Sequence, residues 1–344
     1  MIDEQHLHYI ITESFENLIM SKTIKKYSKL DSIPTGQASD HITEGCLVLE
    51  GGAFRGVYTG GVTDLLMKKD LNFSCTIGVS AGSMNGFNYV SGQIGRASRF
   101  NLGHRFDPNY VGLHAWKENK GIFGFDLVFD DNRVEEPFNK VAFDNPAHRF
   151  IAVATDCLTG KPAYFENGKC SDIFQAIRAS SSMPIMSKPV MLDSKPYLDG
   201  GCSVAYALDW ALQEGYEKII VVRTRDRSYR KVPNHSSIAF LQKQLYGRKY
   251  PEFLNVWQKS AERYNALCDR TDQLEKEGRI FVIAPSVPVT VGRLEKDIEK
   301  LGSLYWMGYH DAESDLASLR AYLKKINKQI SRTVSCNLNP TNII

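Results

Sequence analysis

Phe73-Ser74-Cys75-Thr76-Ile77-Gly78-Val79-Ser80-Ala81-Gly82-Ser83-Met84-Asn85-Gly86-Phe87 decides the fold. Phe73 to Ile77 is rich in strand-favouring residues, Gly78 to Gly82 is a G-x-S-x-G turn, and Ser83 to Val90 continues as a helix. A serine on such a strand-to-helix turn is thrust above the sheet, and only small neighbours let the backbone turn so sharply. Ser80 is therefore a candidate nucleophile, with Gly78 and Gly82 making the room.

Working outward, Cys46-Leu47-Val48-Leu49 is a compact apolar strand. It runs into a glycine turn, Glu50-Gly51-Gly52-Ala53-Phe54-Arg55-Gly56, and a helix over Val57 to Lys69 with Val62, Leu65 and Leu66 inward. Downstream, Phe150 to Thr155 and Ala163 to Phe165 read as strands, Ser171 to Ser180 as a short helix, and Pro184 and Pro189 as framing an irregular crossing. That crossing leads to Tyr197-Leu198-Asp199-Gly200-Gly201, a helix over Ala205 to Gln213, and strands at Lys218 to Thr224 and Ile280 to Ala284. Strands alternating with helices predict an α/β fold, a mostly parallel sheet covered on both faces. Helices are expected over Tyr250 to Glu277 and Leu294 to about Ile330. The expected organisation is an N-terminal arm (1–44) with an amphipathic helix carrying Ile11, Phe15, Leu18 and Ile19, a core (45–215), and a C-terminal region (216–344) that continues the α/β core and ends in helices.

At 344 residues, 43% hydrophobic and 24% charged, the chain suits one large α/β domain with appended helices or two domains sharing an interface. A net charge of +3 without finger or RNA-binding motifs argues against nucleic acid. The seven cysteines (46, 75, 157, 170, 202, 268 and 336) are odd in number and contain no C-x-x-C pair, which fits reduced thiols and argues against structural zinc. The start of the chain lacks the basic and apolar run of a signal peptide, and no stretch is long enough to span a bilayer. The expected location is cytoplasmic, with transient contact at a membrane surface as an additional expectation.

Acyl hydrolysis needs a nucleophile, a proton acceptor, and donors aimed at the oxygen that becomes negative. Gly51 and Gly52, with the chain turning into a helix at Arg55-Gly56, are placed to aim backbone N–H groups at such an oxygen. The turn matches neither G-x-x-x-x-G-K-[ST] nor G-x-G-x-x-G, which argues against a nucleotide phosphate loop. Eight histidines are present, and none lies in a motif that ties it to Ser80; His235 and His310 have only the chain order of a triad. Asp199-Gly200-Gly201 instead puts a carboxylate on a tight turn. Alone it reads as a turn residue or helix cap; beside the other two motifs it reads as the proton acceptor.

These three motifs in this order resemble the patatin-like phospholipases over roughly residues 46 to 215, and Val291-Gly292-Arg293-Leu294-Glu295-Lys296-Asp297 resembles a bacterial subgroup of that family. The resemblance implies a three-layer patatin-like (modified α/β-hydrolase) fold with a helical C-terminal region. It implies a Ser80–Asp199 dyad, and an oxyanion hole of Gly51, Gly52 and Ala53, the last standing where many members have a third glycine. Arg55, Gly56, Gly78, Gly82, Gly200 and Gly201 support these residues, and no metal or cofactor is implied. The expected substrate is a phospholipid, lysophospholipid or related carboxylic ester. A non-catalytic lipid-binding or membrane-associated regulatory protein on the same scaffold, and a thioesterase or acyl transferase, are the alternatives.

Three stretches bear on the substrate. Residues 103–131 carry Trp116, Ile122, Phe123, Phe125, Leu127 and Phe129 and read as a lid, an acyl-chain wall or core filling under a long loop. Arg223, Arg225, Arg227, Arg230 and Lys231 follow a strand end and read as a head-group contact or a solvated loop. Leu316, Leu319, Leu323, Ile326 and Ile330 form a stripe flanked by Arg320, Lys324, Lys325, Lys328 and Arg332. It reads as a membrane contact or as packing on the chain's own domain or a second subunit.

Overall fold

The computed structural model describes residues 24–129, 135–232 and 236–325. The expected N-terminal amphipathic helix, residues 130 and 131, His235, Cys336, and Ile326, Lys328, Ile330 and Arg332 of the C-terminal stripe lie outside the described residues.

Along β1 (Thr43–Leu49), side chains alternate between the two faces of the sheet: Cys46 and Val48 join one apolar cluster, Leu47 and Leu49 another, and all four are fully buried. β2 (Phe73–Val79) and β7 (Ile219–Val222) flank β1 in parallel, β3 (Arg149–Asp156) lies parallel beyond β2, and β8 (Phe281–Ile283) lies parallel beyond β7. β4 (Pro162–Glu166) and β6 (Lys195–Asp199) pair antiparallel with β3, and β5 (Val190–Leu192) pairs antiparallel with β6. Five parallel strands thus make the centre of an eight-stranded mixed sheet.

The register on β3 positions the site. Val79 is level with Val153 on one edge of β3, and β4 covers residues 151–155 on the other. Ala154 and Thr155 pair with β4 and also with β6, Ala154 opposite Asp199. A strand residue has only two edges, so β6 takes up the edge of β3 where β2 leaves it. The C-terminal ends of β2 and β6 therefore meet head-on, which brings Ser80 and Asp199 together.

Helices cover both faces, giving three layers. α1 (Val57–Lys68) packs on one face with Val62, Leu65 and Leu66 fully buried, as its periodicity predicts. The long helix α7 (Ile298–Lys324) lies against α1, and Leu319, with Leu316 and Leu323 beside it, packs on this same core. The described part of the C-terminal stripe therefore covers the chain's own sheet. The other face holds α4 (Leu208–Gln213) and α6 (Ser260–Lys276), through Leu208, Ala211, Leu267 and Leu274. Each fully buried aliphatic side chain contributes about 1.5–3 kcal/mol of transfer free energy. No described helix is long and apolar enough to cross a membrane.

Two local features differ from the sequence expectation. The helix over Tyr250 to Glu277 is two helices, α5 (Pro251–Gln258) and α6, separated at Lys259, which leaves the helical region at φ −87 and ψ 9. The crossing after Pro189 contains the β5–β6 hairpin, turned by Asp193 and Ser194 at φ 48 and 63. Period-based reading misses so short a hairpin, because β5 is three residues long.

α1 and α7 are tied by a buried carboxyl. Asp64 accepts from the Gly95 N–H (2.8 Å) and the Tyr305 hydroxyl (3.0 Å), and burial pushes its pKa up to about 7, against smaller downward pulls from these donors and from Arg99. The folded state therefore favours the protonated acid. Its contribution to stability is complete below the ordinary aspartate pKa of 3.8 and is lost as the pH rises through about 7. Replacing Asp64 with Asn is expected to flatten the decline in Tm across that interval, as read by thermal melts at several pH values. An unchanged slope would assign the decline to other groups.

Candidate active site

β2 ends at Val79, and Ser80 takes φ 54 and ψ −122 before α2 (Ala81–Val90) begins. A residue with a Cβ holds that conformation only under constraint. The constraint is the crossing of strand end and helix start: a Cβ on Gly78 would lie 2.4 Å from the Gly82 backbone, and one on Gly82 would lie 2.4 Å from the Leu49 carbonyl oxygen. The Ser80 N–H donates to Ser180 Oγ (2.9 Å), whose hydroxyl donates to the Val153 carbonyl (2.6 Å). Ser180 ends α3 (Ile173–Ser180), so it ties the turn to a second helix and to β3.

Asp199 ends β6. Its Oδ2 accepts from Ser80 Oγ at 2.7 Å and its Oδ1 accepts from the Gly201 N–H at 2.7 Å. The turn-cap role and the partnership with Ser80 thus coexist, one on each oxygen. Its N–H donates to Ser182 O (2.9 Å) and its carbonyl accepts from Thr155 Oγ1 (2.9 Å), so the backbone is held as firmly as the carboxylate. Burial raises the carboxyl pKa above its ordinary value; the Ser80 hydroxyl, the Gly201 N–H, and the charges of Arg293 and Lys231 pull it part of the way back. A raised pKa makes this carboxylate a stronger base than an exposed one.

The glycine turn abuts this pair: a Cβ on Gly51 would lie 3.0 Å from Ser80 Cβ. The Gly51 N–H donates to Ala205 O (3.2 Å), that of Phe54 to Arg293 O (3.2 Å) and that of Arg55 to Gly52 O (3.1 Å). The N–H groups of Gly52 and Ala53 have no acceptor among the described residues, and Ala53 sits at φ 50. Gly56 packs against Ala81, and Gly200 against the Val153 carbonyl, where a Cβ would come within 2.2 Å.

Two cavities open on Ser80. One is walled by Phe54, Val57, Met84, Tyr110, Phe123 and Phe125. Tyr110, Phe123 and Phe125 belong to the aromatic segment and pack on one another and on Phe54, so this part of it is a wall of the apolar cavity. The other, larger one is bordered by Asp199, the glycine turn and several charged side chains. Neither cavity is lined by a described histidine. His310 is exposed, stacked on Trp306 and 3.6 Å from Glu313.

The basic run divides. Arg223 is fully buried and pairs with Asp272 at 3.2 Å, Arg227 pairs with Glu275, and Arg230 lies 2.8 Å from Asp269 and 2.9 Å from Asp272. These three tie the strand end to α6 instead of facing a ligand. Arg225 and Lys231 do border the larger cavity. Sequence reading missed the positioning hydroxyls of Ser180 and Thr155; the run Ser180-Ser181-Ser182 at a helix end is the only signal it offered.

Residues 47–209 match the family model described as patatin-like phospholipase, and residues 250–324 match a model described as a domain of unknown function, DUF6363. The first match lies on the mostly parallel, three-layer part of the fold, ahead of the helical C-terminal region, and supports lipid hydrolysis in general terms. It is 25% identical over 270 residues to the uncharacterized protein YjjU of Escherichia coli (strain K12), covering 76% of this chain and 74% of that one. Among solved structures it is similar to VipD from Legionella pneumophila, at 12% identity and a TM-score of 0.44, covering 88% of this chain and 73% of that one.

Proposed function

We propose that the chain is a serine hydrolase of carboxylic lipid esters, with Ser80 as nucleophile and Asp199 as proton acceptor. The observation that carries this reading is the 2.7 Å hydrogen bond from Ser80 Oγ to a buried carboxylate whose other oxygen is already fixed. As Oγ attacks the acyl carbonyl, its proton passes to Asp199 Oδ2, and the carbonyl oxygen takes the negative charge. The N–H groups of Gly52 and Ala53 are the donors left to meet that oxygen, while Gly51, engaged with Ala205, acts as the spacer that sets the loop against Ser80. Asp199 then gives the proton to the departing alkoxide, and a water molecule enters by the same route to release the acid. The apolar cavity fits the acyl chain and the polar cavity the alcohol side.

The test is a fluorophosphonate probe on the folded protein, followed by peptide mass spectrometry with Ser80→Ala as control. Labelling confined to the Ser80 peptide is expected. Absence of labelling in folded protein would overturn the activated-serine assignment.

A further inference from the structure

The larger cavity beside Ser80 is bordered by four cations, Arg55, Arg225, Lys231 and Arg293, and by two carboxylates, Glu50 and Asp199. Asp199 is engaged by Ser80, and Glu50 Oε2 accepts the Thr224 N–H. The cavity therefore holds two positive charges in excess. Arg55 is only 8% exposed, and its guanidinium has no hydrogen-bond or ion-pair partner among the described residues; its Nε is buried without an acceptor, as is that of Arg225. A buried guanidinium left unpaired is costly unless a ligand completes it. Burial first, then the repulsion of Arg225 and Arg293, holds the Arg55 pKa down to about 10. Burial, with repulsion from Arg293 and Arg55, lowers Lys231 to about 8.

The geometry is organised in advance. The Arg293 carbonyl accepts the N–H of Phe54, the residue before Arg55, which locks the C-terminal segment to the glycine turn. Arg105 donates to the carbonyls of Leu294 (3.1 Å) and Glu295 (2.6 Å), clamping the same segment from the other side. Two of the cavity's three aromatic side chains already carry cations, Lys231 Nζ lying 4.1 Å over the Tyr264 ring and the Arg225 guanidinium 4.4 Å over Tyr229, while Trp257 packs against Tyr246 and Phe253. A quaternary ammonium head group would find those faces taken and like charges around it. A phosphate monoester, with up to two negative charges and several acceptor oxygens, matches both the charge excess and the unpaired donors.

We propose that this cavity is a phosphate-monoester subsite on the leaving-group side of the scissile ester, so that the enzyme selects acyl esters whose alcohol ends in phosphate. This rests on the hydrolase reading above. Water adds across the acyl–oxygen bond, releasing the fatty acid and the phosphorylated alcohol, and the phosphate ester stays intact. Arg293 and Tyr264 lie in residues 250–324, so the region of unknown function supplies a wall of the specificity site.

The test compares two esters with the same acyl chain, lysophosphatidic acid and the corresponding monoacylglycerol, in wild type and in K231Q and R293Q, with glycerol 3-phosphate and inorganic phosphate as separate ligands in calorimetry. Wild type is expected to favour the phosphate ester. K231Q is expected to lose about thirtyfold or more in kcat/KM on it, as for removal of one partner of a largely desolvated charge pair, and R293Q, whose side chain is exposed, severalfold, with smaller losses for both on the neutral ester. Equal losses on both esters, or no preference in wild type, would overturn the subsite while leaving ester hydrolysis standing. Binding of inorganic phosphate without any preference for the phosphate ester would make the free ion the ligand and overturn the head-group assignment. Hydrolysis of neither ester would count against the hydrolase reading instead. The calorimetry then decides the subsite alone: glycerol 3-phosphate binding that is weakened in R293Q supports it, and no binding overturns it.

Discussion

Replacing Ser80 with alanine is expected to lower kcat/KM for ester hydrolysis by about a thousandfold or more, since the variant keeps the donors and the cavities but loses the attacking oxygen. The fold should survive, because alanine carries the same Cβ through the same φ of 54, and the contacts that shape the turn are made by neighbours and by the residue-80 N–H, which alanine keeps. Circular dichroism and a thermal melt check this alongside the kinetics. A second variant separates chemistry from strain. Glycine adopts the turn freely, so Ser80→Gly should be equally inactive yet more stable than Ser80→Ala, by about 1 kcal/mol. Wild-type turnover in either variant would remove Ser80 as the nucleophile.

Asp199→Asn should lose a comparable factor, about a hundredfold to a thousandfold in kcat, because an amide oxygen still accepts a hydrogen bond from Ser80 but does not take up its proton at neutral pH. The pH profile gives an independent reading. Asp199 works as a base only when ionised, and burial raises its pKa above the ordinary 3.8, so the acid limb of kcat/KM should fall away at a pH higher than an exposed aspartate would give. Stability should move the opposite way. Folding binds the Asp199 proton more tightly than the unfolded chain does, so the stability present below the ordinary pKa is lost as the pH rises through the folded one; the Asn variant should match or exceed wild type in Tm at neutral pH. Replacing the exposed His310 should leave activity intact. An inactive, folded His310→Ala protein beside an active Asp199→Asn protein would replace the dyad with a triad.

Much of this arrangement is written locally in the chain. The β1 and β2 strands, the Ser80 turn and the inward face of α1 each rest on contiguous residues whose period or glycine spacing has one structural solution. The partnership of Ser80 with Asp199 was legible only through the order of motifs, since 119 residues separate them and no local rule measures that distance. What stayed illegible was set by tertiary pairing. Arg223 and Arg225 look alike in a basic run, yet the first is buried against Asp272 and the second borders the cavity. The three residues Gly51, Gly52 and Ala53 are equally eligible as donors until Ala205 is seen to occupy the first. Arg293 and Lys231 reach the cavity from separate segments, brought together by the pairing of β7 with β8 and by the lock between Phe54 and Arg293.

The shared edge of β3 has an evolutionary consequence. Where β2 gives way to β6, the spacing of Ser80 and Asp199 is set by peptide groups, at Val153 and Ala154, and not by the shapes of side chains. Backbone bonding is common to every residue type but proline. A lineage is therefore free to rewrite the apolar residues of β3, one at a time, without changing the distance between the Ser80 hydroxyl and the Asp199 carboxylate. The residues it is not free to rewrite are the few glycines at the two strand ends, where an added methyl group would push the facing turns apart.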